Sequence, residues 1–394
     1  MPHTSVDDHA ALVAAMLAPA LMPRPETVPL DDALDRVTAS AVASPVDLPL
    51  FRNSQMDGYA VVAADLATLP VTLPIAGEIA ARPSDPLPLL PGSAVRIMTG
   101  GVMPRGADAV VPVEDTTVDG NHVTITRPRS AGDFVRNPGS DIHRGDRLLP
   151  GGLRLASRHL AALAAAGLTT IDVVARVTVA VITTGSELVP PGVEPVLGQV
   201  FDSNGTALAA AVRAAGGVVT FRTHVLDDRD AMLAALHRAT AADVILTSGG
   251  ISMGDYEVVR ETLEPFGARV GHVAMQPGGP QATAVFEGTP VICFPGNPVS
   301  TQLSFEVFVA PLLREVAGLP AAVRRWRPLT AGTASMAGKR QFLRGRADAE
   351  GRVTLVAGPG SHLVAGLAAS TVLVIVPEQV TELAAGDSVE TWEL

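Results

Sequence analysis

Residues 176–187 read RVTVAVITTGSE. The run 177–182 is short, apolar and rich in β-branched residues, and it stops at a turn signal. That is the pattern of a strand buried on both faces. It leads into Thr183-Thr184-Gly185-Ser186-Glu187. The arrangement recurs at 243–246 before Thr247-Ser248-Gly249-Gly250, and at 290–294 before Pro295-Gly296-Asn297-Pro298. Parallel α/β sheets bind ligands at the carboxyl ends of their strands, and small residues let backbone N–H groups approach an anion. Each loop alone reads better as an ordinary strand-to-helix turn. Three on one sheet, with Glu187 and Asp255 beside them, predict a cleft for a phosphate or another oxyanion.

Working outward, helical patterns at 207–215, 230–240, 258–263 and 300–316 alternate with strand patterns. This predicts a central α/β domain over 176–322, with a parallel sheet and right-handed crossovers. Upstream, 49–138 alternates short β runs with Pro and Gly, and Asp119-Gly120 signals a hairpin. That stretch reads as a β-rich lobe. Residues 9–18 and 157–166 read as helices, and 1–48 with 139–175 are grouped as one discontinuous N-terminal helical domain. Past a Pro- and Arg-bearing linker, 323–394 returns to β character and predicts a small β-barrel. The expected fold class is multidomain α/β plus β.

At 394 residues the chain is long enough for two to four domains, and 47% hydrophobic content argues against disorder. A net charge of −11 without a clustered basic patch argues against general nucleic-acid binding. Cys293 is the only cysteine, so neither an intrachain disulfide nor a cysteine-based zinc site is available. Its apolar strand suits a buried small hydrophobe. The first residues carry Asp7 and Asp8 and no basic run, unlike a signal peptide. No run approaches the roughly 20 apolar residues of a membrane span. A cytoplasmic protein is expected.

Seven segments carry the remaining information: SQMDGYAV at 54–61, RIMTGGVMPRGADAVVPVE at 96–114, GSDI at 139–142, VAVITTGSEL at 179–188, FDSN at 201–204, LTSGGISMGDYE at 246–257 and FPGNPVS at 294–300. In this combination and order the chain resembles the MoeA-type molybdopterin molybdenumtransferases, the family that includes the gephyrin E domain. The resemblance implies an elongated homodimer of four-domain subunits, with the cleft between the α/β domain of one subunit and the β lobe of the other. It implies ligation of molybdate to the dithiolene of adenylylated molybdopterin with release of AMP, dependent on Mg²⁺. Contact with the preceding adenylyltransferase of the pathway is a further expectation.

Phosphoanhydride cleavage asks mainly for positioning and charge neutralisation, and Mg²⁺ takes one or two carboxylates plus phosphate and water oxygens. On the matching motifs, the candidate catalytic residues are Asp57, Thr99, Asp141, Glu187, Asp227 and Asp255, with Asp57 and Glu187 as candidate Mg²⁺ ligands. Candidate binding residues are Thr184, Gly185, Ser248, Gly249, Gly250, Gln276, Pro295, Gly296, Asn297, Pro298, Arg344 and Ser361. Bland readings stand beside several of these. Asp57 can cap the turn before Gly58, Thr99 can cap the turn before Gly100, and Asp141 can satisfy loop amides. Asp227 or Asp228 can open a helix, and Arg340 and Arg344 can be solvated.

The family commonly carries lysines in a KPGKP-like segment, and here 275–280 reads MQPGGP. Gln276 and Gly279 replace both lysines. Ala365 and Gly366 likewise follow Ser361 where small polar residues are frequent. A second reading follows: a weakened paralogue that binds the pterin ligand as a carrier or scaffold.

Overall fold

The computed structural model describes residues 4–83, 85–86, 88–251 and 257–394. The chain forms two compact units, Met1–Glu26 with Val173–Leu394, and Thr27–Asp172.

The first unit is organised on a six-stranded sheet whose spatial order is Val218–Val225, Thr178–Thr184, Val244–Ser248, Thr289–Phe294, Pro280–Phe286 and Arg269–His272. The run 179–184 is buried throughout, as the opening motif predicts. Its alternation explains why. Val179 and Val181 join one core with Leu208, Val212, Phe305 and Phe308, while Ala180 and Ile182 join the opposite core with Met232, Leu236 and Val259. Helices Asn204–Ala214 and Pro298–Phe308 contribute to the first core, and Arg229–Ala239 and Val258–Leu263 to the second. Cys293 is fully buried in the second, and burial pushes its thiol up to about 12. It packs as a hydrophobe.

Two sequence expectations need correction. The sheet is not wholly parallel, because Pro280–Phe286 runs antiparallel to both its neighbours. It joins Thr289–Phe294 through Glu287 and Gly288, both at positive φ (49° and 86°), a two-residue turn with no room for a crossover helix. The helix expected over 300–316 is two helices, Pro298–Phe308 and Ala310–Val316. Pro311 has no N–H to continue the ladder.

The helix Val6–Leu17, capped by Ser5 accepting from the Asp8 N–H, buries Val13 and Leu17 in the α/β core. Its apolar face therefore belongs with 173–394, and not with 139–175 as the sequence grouping expects. His9 on this helix is buried edge-on against Phe308, with ring centroids 4.7 Å apart, and its Nε2 has no hydrogen-bond partner among the described residues. Burial lowers its pKa from 6.5 to about 4. The unfolded chain takes up this proton below pH 6.5, whereas the folded chain resists until about pH 4. Stability attributable to His9 is thus intact above pH 6.5 and falls by roughly 3 kcal/mol on descending to pH 4. We expect the urea midpoint to fall over that window, and His9→Met to flatten the fall. An equally steep fall in the variant would contradict it.

In the C-terminal part, Met275–Gln276 pairs in parallel with Arg340–Ala347, which continues to Val372–Val376, Ser388–Glu393 and Arg324–Pro328. Lys339 and residues 359–361 of this part line the same space as the α/β strand-end loops. The second unit holds another six-stranded sheet, with a hairpin at Asp119 whose register pairs Val118 with Val123. No helix among the described residues is long and apolar enough to cross a membrane.

Candidate functional site

The three loops lie side by side because their strands are neighbours: Thr183 pairs with Ser248, and Ser248 with Phe294. They line a cleft of about 830 Å³ within the first unit, together with Glu187, Asp227, Gln276 and Ser361.

In the first loop, a Cβ on Gly185 would stand 2.4 Å from the Glu187 carboxylate. Glycine lets Glu187 fold back over the loop, where it is exposed. Asp227 sits at the end of the adjacent strand and accepts from the Ser186 N–H (2.8 Å) and the Thr184 hydroxyl (3.2 Å). Its neighbour Asp228 instead caps a helix, accepting from the Ala231 N–H at 2.7 Å. Two adjacent aspartates thus divide between the cleft and the helix.

In the second loop the Ser248 side chain faces the protein. Ser248 is 1% exposed and its hydroxyl is spent on the protein. It accepts from the Asn204 amide (2.9 Å), lies 3.0 Å from the Thr301 hydroxyl and donates to the Pro295 carbonyl (3.3 Å). The Gly249 N–H donates to the Phe294 carbonyl at 3.1 Å. Ser248 and Gly249 hold the loops together. Asn204, which belongs to the FDSN segment but is not among the candidate site residues, is the residue that sequence reasoning misses. Its amide also donates to the Gly296 carbonyl at 2.6 Å, tying the second loop to the third. Asp202 is similarly buried, between the Thr183 hydroxyl (2.9 Å) and the Gly205 N–H (3.0 Å). The FDSN motif was the available signal for both.

In the third loop Pro295 is buried, Gly296 and Asn297 are exposed, and Pro298 opens the helix Pro298–Phe308. Among the described residues the Asn297 side chain makes no capping hydrogen bond, so its amide remains available at the positive end of the helix dipole. The Val299 N–H donates to the Ser361 carbonyl at 3.0 Å, fastening the Ser361 loop to the same helix. Arg344 is 1% exposed and donates to the carbonyls of Gly358 and Gly360 (3.2 Å to the latter). Its reading as a solvated surface arginine is corrected: it supports the Ser361 loop from beneath. Gln276 accepts from the Gln341 amide. Arg340 is paired with Asp7 and Glu378.

The second unit carries its own cluster. One oxygen of Asp57 accepts from both the Thr99 N–H (2.7 Å) and the Thr99 hydroxyl (2.6 Å), and these bonds hold its carboxyl below the usual range. Gly58 is obligatory beside it, since a Cβ there would lie 2.1 Å from the Val111 carbonyl oxygen. Asp141 is exposed, and its N–H donates to the Leu48 carbonyl at 2.9 Å. A mainly apolar cavity of about 840 Å³ in this unit is lined by Phe51, Val102, Met103 and Arg105. Asp255 lies outside the described residues.

Among the described residues no three His, Cys, Asp or Glu side chains are clustered as a metal cage. Mg²⁺ does not require one, because substrate phosphates and water complete its shell. The exposed carboxylates of Glu187 and Asp57 fit that chemistry, each as one hard oxygen donor; Asp57 is also held ionised by Thr99.

Three family models match in succession: MoeA N-terminal region (domain I and II) over residues 4–167, a probable molybdopterin binding domain over 180–315, and MoeA C-terminal region (domain IV) over 327–394. The chain is 43% identical to molybdopterin molybdenumtransferase 2 of Mycobacterium tuberculosis, covering 99% of each chain. It is 36% identical to a molybdopterin molybdenumtransferase of Synechococcus elongatus, covering 94% of each. A molybdopterin biosynthesis MoeA protein from Pyrococcus horikosii shares the fold with a TM-score of 0.84, at 32% identity and over 99% of each chain.

Proposed function

The chain belongs to the MoeA family of molybdopterin molybdenumtransferases, and we propose that it inserts molybdate into adenylylated molybdopterin with release of AMP. The observation that carries this reading is the cleft itself. Three strand-end loops converge on one space, tied by Asn204 and Ser248, with the carboxylates of Glu187 and Asp227 among those in its wall and a helix N-terminus facing it.

Within it, the loops and the Asn297 amide orient the phosphate oxygens, and the helix dipole favours their negative charge. Arg344 keeps the Ser361 loop closed against the first turn of Pro298–Phe308. Glu187 is the candidate Mg²⁺ ligand of this cleft and Asp57 a candidate Mg²⁺ ligand of the second unit, with Asp227 positioning the first loop. The cation would supply charge neutralisation on the phosphate oxygens. Asp141 and Asp255 are retained as further acidic candidates. We also assign a homodimer, a cytoplasmic setting and a handover from the preceding adenylyltransferase.

The carrier reading is less favoured, since relatives matching the whole length bear the transferase name. The deciding experiment incubates the protein with adenylylated molybdopterin, Mg²⁺ and molybdate and measures AMP. Molybdate-dependent AMP release is expected. Tight pterin binding with no AMP above background would leave only the carrier.

A further inference from the structure

The sequence contains one lysine, Lys339, among 29 lysines and arginines. That lysine lines the cleft, and it is the only lysine or arginine to do so among the described residues. The cleft is otherwise acidic, with Glu187, Asp202, Asp227 and Glu257 in its wall. An acidic wall repels a phosphorylated ligand and molybdate unless a cation is placed among the carboxylates.

Lys339 is positioned for that purpose. It is half-buried and immediately precedes the strand Arg340–Ala347. That strand runs alongside Met275–Gln276, with Met275 opposite Arg340 and Gln276 opposite Gln341. Lys339 therefore stands next to the segment where Gln276 and Gly279 bring no charge. The neighbouring Arg340 is committed elsewhere: its guanidinium makes two bonds to Asp7 (2.8 and 2.9 Å) and another to Glu378 (3.0 Å). Lys339 makes no side-chain hydrogen bond or ion pair among the described residues, leaving all three donors for a ligand.

We propose that Lys339 is the oxyanion-binding cation of the cleft, supplying from the C-terminal strand the charge that the 275–280 segment lacks. The ligand chemistry is a tetrahedral oxyanion, either molybdate or the adenylyl phosphate. The proposal rests on the reading that this cleft takes the adenylylated pterin. Its flexible four-carbon stem and point charge suit an anion approached from several directions.

A single lysine makes the test direct. The full-length protein is acylated with a water-soluble N-hydroxysuccinimide acetate, and the Lys339 peptide is followed by mass spectrometry. The arms contain no ligand, AMP, molybdate, or adenosine as the uncharged control. AMP or molybdate is expected to slow acylation at least about fivefold while adenosine does not, and the protecting arm identifies the oxyanion. Lys339→Met should weaken binding of that oxyanion by about tenfold or more, and Lys339→Arg should restore most of it, since a charge-assisted contact is roughly twice as strong as a neutral one. Equal acylation in every arm, with unchanged affinity in Lys339→Met, overturns the proposal even when the wild-type protein releases AMP. Protection without turnover supports Lys339 while sinking the enzymatic reading. Absence of both binding and turnover removes the two together.

Discussion

Glu187→Gln is expected to lower molybdate-dependent AMP release by about 10²–10³-fold, the usual cost of removing one preorganised electrostatic group, with little change in melting temperature. The two expectations have separate physical causes. Glu187 is exposed, and among the described residues its side chain makes no hydrogen bond or ion pair. Neutralising it therefore leaves no buried group unsatisfied, and exposed substitutions of that kind usually stay within about 0.5 kcal/mol. Its position over Gly185 has no evident packing role, yet it brings a carboxylate to the ligand side of the sheet. Parallel calorimetry and AMP assays decide the matter. Wild-type turnover in the variant would remove Glu187 from the site, and a matching loss of stability would make it a structural residue.

Gly249→Ala is expected to have the largest combined effect. Gly249 has φ of +98°, where a side chain is strained, and a Cβ would stand 2.5 Å from the Thr184 carbonyl oxygen. That neighbour is backbone of the adjacent loop and cannot rotate away. The second loop must move off the first, stretching the Gly249 N–H bond to Phe294 and the Asn204 bridge to Ser248. We expect about 3 kcal/mol of destabilisation, in the range of severe backbone and steric defects, with a melting temperature lower by roughly 6–12 °C. Turnover should fall by about 10²-fold or more, because displacements near 1 Å at a reacting centre carry that penalty. Normal melting and normal turnover together would show that the loops are not rigidly coupled.

Much of this was legible in the residues. The buried run at 179–184 follows from an unbroken β-branched stretch, and the alignment of three loop-terminated strands follows from repetition of one pattern. The Asp119-Gly120 hairpin followed from turn chemistry that only a few residues satisfy. The break at Val309 was missed although Pro311 was visible, because apolar periodicity continues across it. The antiparallel strand Pro280–Phe286 was missed because a buried apolar run looks alike in either direction. The roles of Ser248, Asn204 and Arg344 depend on partners between 14 and 92 residues away. Local pattern carries no such information: Ser248 in a Gly-rich loop looks like a ligand donor until its hydroxyl is seen to be occupied.

The account turns on the phosphate lying at the strand ends of the α/β unit. A crystal structure of the protein soaked with AMP tests this most directly. Phosphate density beside Asn297 and the start of the Pro298–Phe308 helix is the predicted result. AMP ordered in the Phe51–Arg105 cavity, with the strand-end cleft holding only solvent, would contradict it.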